Sequence, residues 1–193
     1  MDETEIGAVT QEDPQVEKRR TFWKNWVEGK SPEEIGNMLA QKEAESERDP
    51  LTGLLNKRGF TNRVEEELSK KRGKYYSVLF LDLNYLGQIN DLVGHEEGNY
   101  WVKMVADALR SSSRPQDLCG RWTQGDEFIM FLPETFQVEA ETIWRTIEKN
   151  FQPSFLISGG VARNPGNLSF EQTVELAEKA MYGVKQGKKG LVT

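Results

Sequence analysis

Residues 75–83, YYSVLFLDL, restrict the fold more than any other stretch, because the run is almost continuously apolar until an acid, Asp82, closes it. A strand that is wet on one face alternates apolar and polar side chains, whereas this one reads as a strand buried on both faces. It is far too short to cross a bilayer, and it contains a charge. Such a strand needs neighbours on either side and helices above and below.

The sequence supplies them. Residues 57–71 and 138–150 have amphipathic helical spacing, and 96–112 place Trp101, Val105 and Leu109 on one stripe. Residues 117–122 and 127–133 flank a short turn and read as a hairpin. Residues 154–162 form another strand, followed by a helix over 169–186 with Ser169 at its N-cap. The order is β-α-β-β-α-β with one further helix in front and one behind. The fold class is therefore α+β, a ferredoxin-like, palm-like plait in one sheet.

Residues 49–193 carry this pattern, and two other segments precede them. Residues 1–14 hold five acids and no Lys or Arg, and read as a solvated acidic tail. Residues 15–48 read as helical: Phe22/Trp26 and Trp23/Val27 recur at i, i+4, and Ser31-Pro32-Glu33-Glu34 is a helix start. These helices either pack on the main domain or present a surface to a protein partner. A net charge of −6 argues against nucleic-acid binding. No signal peptide or spanning segment is expected, and a single cysteine, Cys119, fits a reducing cytoplasm.

Asp82 stands at the end of the most apolar strand, where an ionised carboxylate is costly unless paired or bound to a metal. The hairpin turn carries Asp126 and Glu127, and the plait order can bring them beside Asp82. Clustered carboxylate oxygens suit Mg²⁺, which keeps waters and takes substrate phosphates as further ligands. Two such ions would clamp an attacking oxygen and a leaving pyrophosphate. The acids are equally readable as ordinary turn residues.

Four segments, DPLTGLLNKRGF, FLDLNYLGQINDLVGHEEGN, RWTQGDEF and AMYGVKQGKK, occur in an order and spacing that resemble the GGDEF domain of diguanylate cyclases. The resemblance covers residue 49 to the C-terminus. It implies condensation of two GTP into cyclic di-GMP with release of pyrophosphate, by two domains meeting head to head as a homodimer, with Mg²⁺ (or Mn²⁺) as cofactor. It implies that Asp82, the Leu83 carbonyl and Asp126 hold metal, and that Glu127 orients or deprotonates the 3′-hydroxyl. Asn90 and Asn99 fall where guanine is read. Lys185 and Lys189 fall where the triphosphate is held, although they also fit a basic helix end. Arg114 and Asp117 match a product-inhibition RxxD, or else form a solvated pair. Asp49 and Asn56 match structural turn residues, and His95 matches a structural position.

This sequence departs from the family pattern at several of those places. Asn84 replaces an acid, Gly87 a phosphate-contacting lysine, and Asn99 a guanine-reading aspartate, which implies weaker or relaxed base selection. Thr123-Gln124 lengthens the signature turn by one residue and removes its first glycine. Two readings follow: a cyclase, or a degenerate module that binds GTP, cyclic di-GMP or a protein partner as a signalling adaptor.

Overall fold

A computed structural model describes residues 14–45, 47–70, 75–123, 125–153 and 156–189. Most of the tail expected over 1–14, and Gln124 of the signature turn, lie outside the described residues. The chain divides into two compact units, Met1–Ala44 and Glu45–Thr193.

The first unit contains α1 (Pro14–Val27) and α2 (Pro32–Glu45). Ser31 begins α2 with a reciprocal cap: its hydroxyl accepts from the Glu34 N–H, and the Glu34 carboxylate accepts from the Ser31 N–H. Phe22, Trp23 and Trp26 meet edge to face, with successive centroids 5.5 Å apart, and Phe22 and Trp23 remain exposed.

The second unit runs β1 (Leu55–Asn56), α3 (Lys57–Lys70), β2 (Tyr76–Leu83), α4 (Leu86–Val93), α5 (His95–Ser112), β3 (Leu118–Arg121), β4 (Glu127–Pro133), α6 (Gln137–Asn150), β5 (Ile157–Asn164) and α7 (Phe170–Lys189). The sheet order is β1-β3-β4-β2-β5. β2 is an interior strand, antiparallel to both β4 and β5, and all eight of its residues are buried. The expected plait is present, with two additions. The two-residue β1 extends the edge parallel to β3, and the first crossover is two helices, α4 and α5, split at Gly94.

Alternation along β2 and β4 divides the core. Leu79, Leu81, Leu83, Phe128, Met130 and Leu132 pack toward α5 and α6. Val78, Phe80, Ile129 and Phe131 pack toward α3 and α7. By the same alternation Asp82 and Glu127 fall on the α3/α7 side, at the end of the sheet. The helices approach β5 through a pair of glycines. A Cβ on Gly160 would lie 2.0 Å from the Met181 nitrogen and 2.4 Å from the Ala177 oxygen, so α7 rests backbone to backbone on the strand. A Cβ on Gly159 would lie 2.6 Å from the Trp144 ring on the opposite face.

Candidate active site

The ladder sets Asp82 directly opposite Glu127, and the Leu83 N–H donates to the Asp126 carbonyl at 2.8 Å. Facing side chains on antiparallel strands stand about 5 Å apart at Cβ, and like charges there repel. The arrangement is therefore costly for folding and useful only if cations are brought to it. Lys185 of α7 already answers one acid, its Nζ lying 2.6 Å from Asp82 Oδ2 with both groups largely buried. Asp82, Glu127 and Lys185 line a groove of about 520 Å³, closed on the helix side by Glu175, Glu178, Lys179 and Tyr182.

Glu127 is a perturbed acid of the site. Burial raises its pKa above the ordinary carboxylate value, a hydrogen bond from Thr123 opposes the rise, and the charges of Asp126, Asp82 and Glu178 add to it. A carboxylate moved toward neutrality accepts a proton more effectively near physiological pH. Asp126 does not line the groove with Asp82 and Glu127, but its charge reaches Glu127.

The lengthened turn is held at both ends. The Trp122 N–H donates to the Glu127 carbonyl at 2.8 Å, and the Trp122 ring packs edge-on against Phe60 and Phe80 in the core. Arg121 spans the turn, its Nε and one terminal nitrogen donating to the Gly125 carbonyl at 3.1 and 2.8 Å. Its other terminal nitrogen reaches both oxygens of Asp49. Asp49 in turn accepts from the Thr52 amide and hydroxyl. Burial pushes the Asp49 pKa up, but the Thr52 bonds and Arg121 more than offset it, leaving it below the ordinary value. Sequence reading assigned Asp49 a turn role and missed that Arg121 ties that turn to the signature. The signal was an arginine next to a required turn, with its partner 72 residues away.

Other expected site residues fall in distinct places. Asn90, on α4, packs against α5 where Gly98 has no side chain; a Cβ there would lie 2.0 Å from Asn90 Oδ1. Asn99, beside Gly98, is exposed. Asn84, at the family's second acid, turns inward and exchanges hydrogen bonds with Ser158 on β5, so its role is structural. Gly87 is exposed with open space around it. Lys189 ends α7, but its side chain lies outside the described residues. Away from this groove, Arg114 and Asp117 form a doubly bonded pair, and Arg114 also donates to the Thr135 hydroxyl at 2.6 Å. Cys119 is an inert buried thiol, its pKa pushed up to about 11 by desolvation.

This sequence and this fold have parallels among known proteins. The family model for the diguanylate cyclase GGDEF domain matches residues 46–190. The chain belongs to the GGDEF family. It is 34% identical over 154 residues to the diguanylate cyclase DgcM of Escherichia coli, covering 75% of this chain and 37% of DgcM. It is 31% identical over 151 residues to the cyclic di-GMP phosphodiesterase NbdA of Pseudomonas aeruginosa, covering 72% and 19%. The chain thus spans well under half the length of these two relatives. Among solved structures it resembles the diguanylate cyclase SiaD of P. aeruginosa in complex with its activator SiaC, with TM-score 0.67, 28% identity and coverage of 90% and 69%. The fold also matches the coiled coil and GGDEF domain of DgcB from Caulobacter crescentus, with TM-score 0.73, 22% identity and coverage of 90% and 95%.

A divalent cation fits the donor set. Asp82, the Leu83 carbonyl and Asp126 are hard oxygen donors on adjoining backbone, and the ammonium of Lys185 already stands against Asp82. Among the described residues no group of three or more His, Cys, Asp or Glu converges on one point.

Proposed function

We propose that this chain is a nucleotide cyclase that condenses two GTP into cyclic di-GMP. The observation that carries the reading is the register of Asp82 against Glu127, which places a metal-type acid opposite a proton-accepting acid at the mouth of one groove. The 3′-hydroxyl of each nucleotide attacks the α-phosphorus of the other in turn, so that two P–O bonds form, two bonds to pyrophosphate break, and two pyrophosphates leave as the ring closes. Glu127 takes the hydroxyl proton, and its raised pKa suits that role. Asp82, the Leu83 carbonyl and Asp126 are the residues that would hold Mg²⁺, which when bound would supply charge neutralisation for the transferring phosphate. Lys185, and Lys189 beyond it, hold the triphosphate, while Asn90 and Asn99 read the base from the α4–α5 junction.

One site holds one nucleotide, so the reaction requires two copies of the chain. Arg114 and Asp117 bind the cyclic product at a separate inhibitory site, using donors that already form a bidentate cluster. Residues 49–193 are the cyclase domain, and the helices over 15–48 receive the input, a protein partner being supported by the likeness to SiaD in complex with its activator. No described helix is long and apolar enough to cross a membrane, in keeping with a cytoplasmic enzyme.

The test incubates the purified chain with Mg²⁺ and GTP, ATP or both, and identifies products by mass spectrometry. Cyclic di-GMP is expected, and it should disappear in Asp126→Ala. No cyclic dinucleotide at high protein concentration would sink the proposal. Adenine-containing product would place relaxed base choice at Asn99.

A further inference from the structure

A second cavity, of about 420 Å³, lies at the β1–β3 edge of the sheet, and it shares no described lining residue with the catalytic groove. Its charge is opposite to that of the whole chain, which carries −6. Among its described lining residues stand four cations, Arg48, Lys57, Arg58 and Arg121, and one acid, Asp49. That acid is already committed. A terminal nitrogen of Arg121 lies 3.2 and 3.1 Å from its two oxygens, and the Thr52 amide and hydroxyl also donate to it. Asp49 and Arg121 are both buried, whereas Arg48, Lys57 and Arg58 are exposed at the cavity rim. Two of these three are held in place. Arg48 donates one of its five N–H groups to the Gly53 carbonyl at 2.8 Å. The Lys57 ammonium stands 4.5 Å from the centre of the Trp122 ring, a cation–π contact, and edge contacts with Phe60 and Phe80 fix that ring in turn.

Like charges gathered around one concavity repel, and a bound anion turns that cost into attraction. A guanidinium fork matches phosphate oxygens two at a time, and a lysine beside it adds a point charge. The cavity has the size of a small-molecule site rather than that of a single-ion site. We infer that it is a second anion site, which binds a phosphate-bearing small molecule through Arg48, Lys57 and Arg58, with Trp122 as its aromatic wall. Two sources carry that chemistry: free pyrophosphate, and the phosphate groups of a nucleotide such as GTP. The inference does not depend on the cyclase reading, because the two sites are built from different side chains.

The experiment follows the indole N–H resonances of the full chain by NMR while pyrophosphate or GTP is added without Mg²⁺. The Trp122 signal is identified by its loss in Trp122→Phe. It should move and saturate with at least one of the two anions. Equal midpoints, or a response to pyrophosphate alone, assign the free anion; a GTP midpoint lower by about tenfold or more assigns the nucleotide. Lys57→Gln and Arg58→Gln should each raise the midpoint about tenfold, the loss expected for one charge-assisted contact, and added salt should raise it further. Lys185→Gln removes a cation from the catalytic groove, and there the midpoint should stay within about twofold of the parent protein. No saturable movement with either anion overturns the proposal. So does a midpoint unchanged in both Lys57→Gln and Arg58→Gln, or a loss confined to Lys185→Gln, which would put the anion in the catalytic groove. A parent protein that makes no cyclic dinucleotide fails the cyclase reading alone, and this titration still decides the second site.

Discussion

Arg114 and Arg121 flank the short strand β3, yet they use their donors in opposite ways. Arg121 is buried, and its guanidinium joins Asp49 of one turn to Gly125 of another. Arg114 is 43% exposed and closes on its own neighbour Asp117, whose side chain is fully buried, and on Thr135. The first arginine is scaffold: its donors join two turns, and it carries the Gly125 end of the signature turn. The second can exchange partners, because Asp117 keeps the Arg114 N–H at 2.8 Å when the guanidinium moves. Two arginines of one sequence neighbourhood thus divide into a strut and, in the proposed function, a group for the cyclic product.

The sharpest way to break this contrast is Arg121→Ala. Removing one partner of a buried pair costs about 3–5 kcal/mol, and the freed turn should drop turnover about a hundredfold, both read by denaturant unfolding and product formation. Arg114→Ala should cost less, about 1–3 kcal/mol from the carboxylate left behind, and its clearer signature is lost calorimetric binding of cyclic di-GMP. If Arg114→Ala proves the more destabilising, the roles are reversed. Gly87→Lys sharpens the comparison from the other direction, since Lys185 is committed to Asp82 and Gly87 opens to free space. A restored cation there should lower KM for GTP about tenfold with little change in stability, measured by steady-state kinetics.

The smallest effect expected is in pH dependence. Asp49 sits below its ordinary value of 3.8 when folded, so its stabilisation is complete above that value and is lost as pH falls through the lower, folded one. Asp49→Asn should flatten this acid limb in unfolding curves. Glu127 shifts the opposite way, so its ionised form is disfavoured in the fold, and turnover should fade with acid before an ordinary glutamate protonates.

Much of the plait was legible because its signals are local. The unbroken apolar run of β2, the hairpin of β3 and β4, and the caps at Ser31 and Ser169 each lie within a few residues. α4 was missed because nothing caps it: Tyr85 enters with a left-handed backbone, φ 64°, and no side chain bonds the first turn. β1 is two residues long, below what periodicity can detect. In the site, the approach of Asp82 to the acids of the β3–β4 turn followed from strand order, but not that Glu127 rather than Asp126 stands opposite it, nor the contacts that complete it. Lys185 meets Asp82 across 103 residues, and Arg121 meets Asp49 across 72, separations at which spacing carries no signal. Thr123 read as damage to the turn, whereas its hydroxyl accepts from the Gly125 N–H at 3.3 Å.

At Gly160 the backbones of α7 and β5 touch with no side chain between them. The spacing of α7 from β5 is therefore set at this point by an absent carbon atom, beside Met181 of the groove lining. Side-chain rearrangement alone cannot widen it, because no side chain acts as the spacer. Lys179, Tyr182 and Lys185 ride on that helix as one jaw, and opening or closing must move all three together. A single methyl group at this contact, well away from any reacting atom, would lever Lys185 off Asp82 and reset the whole grip at once.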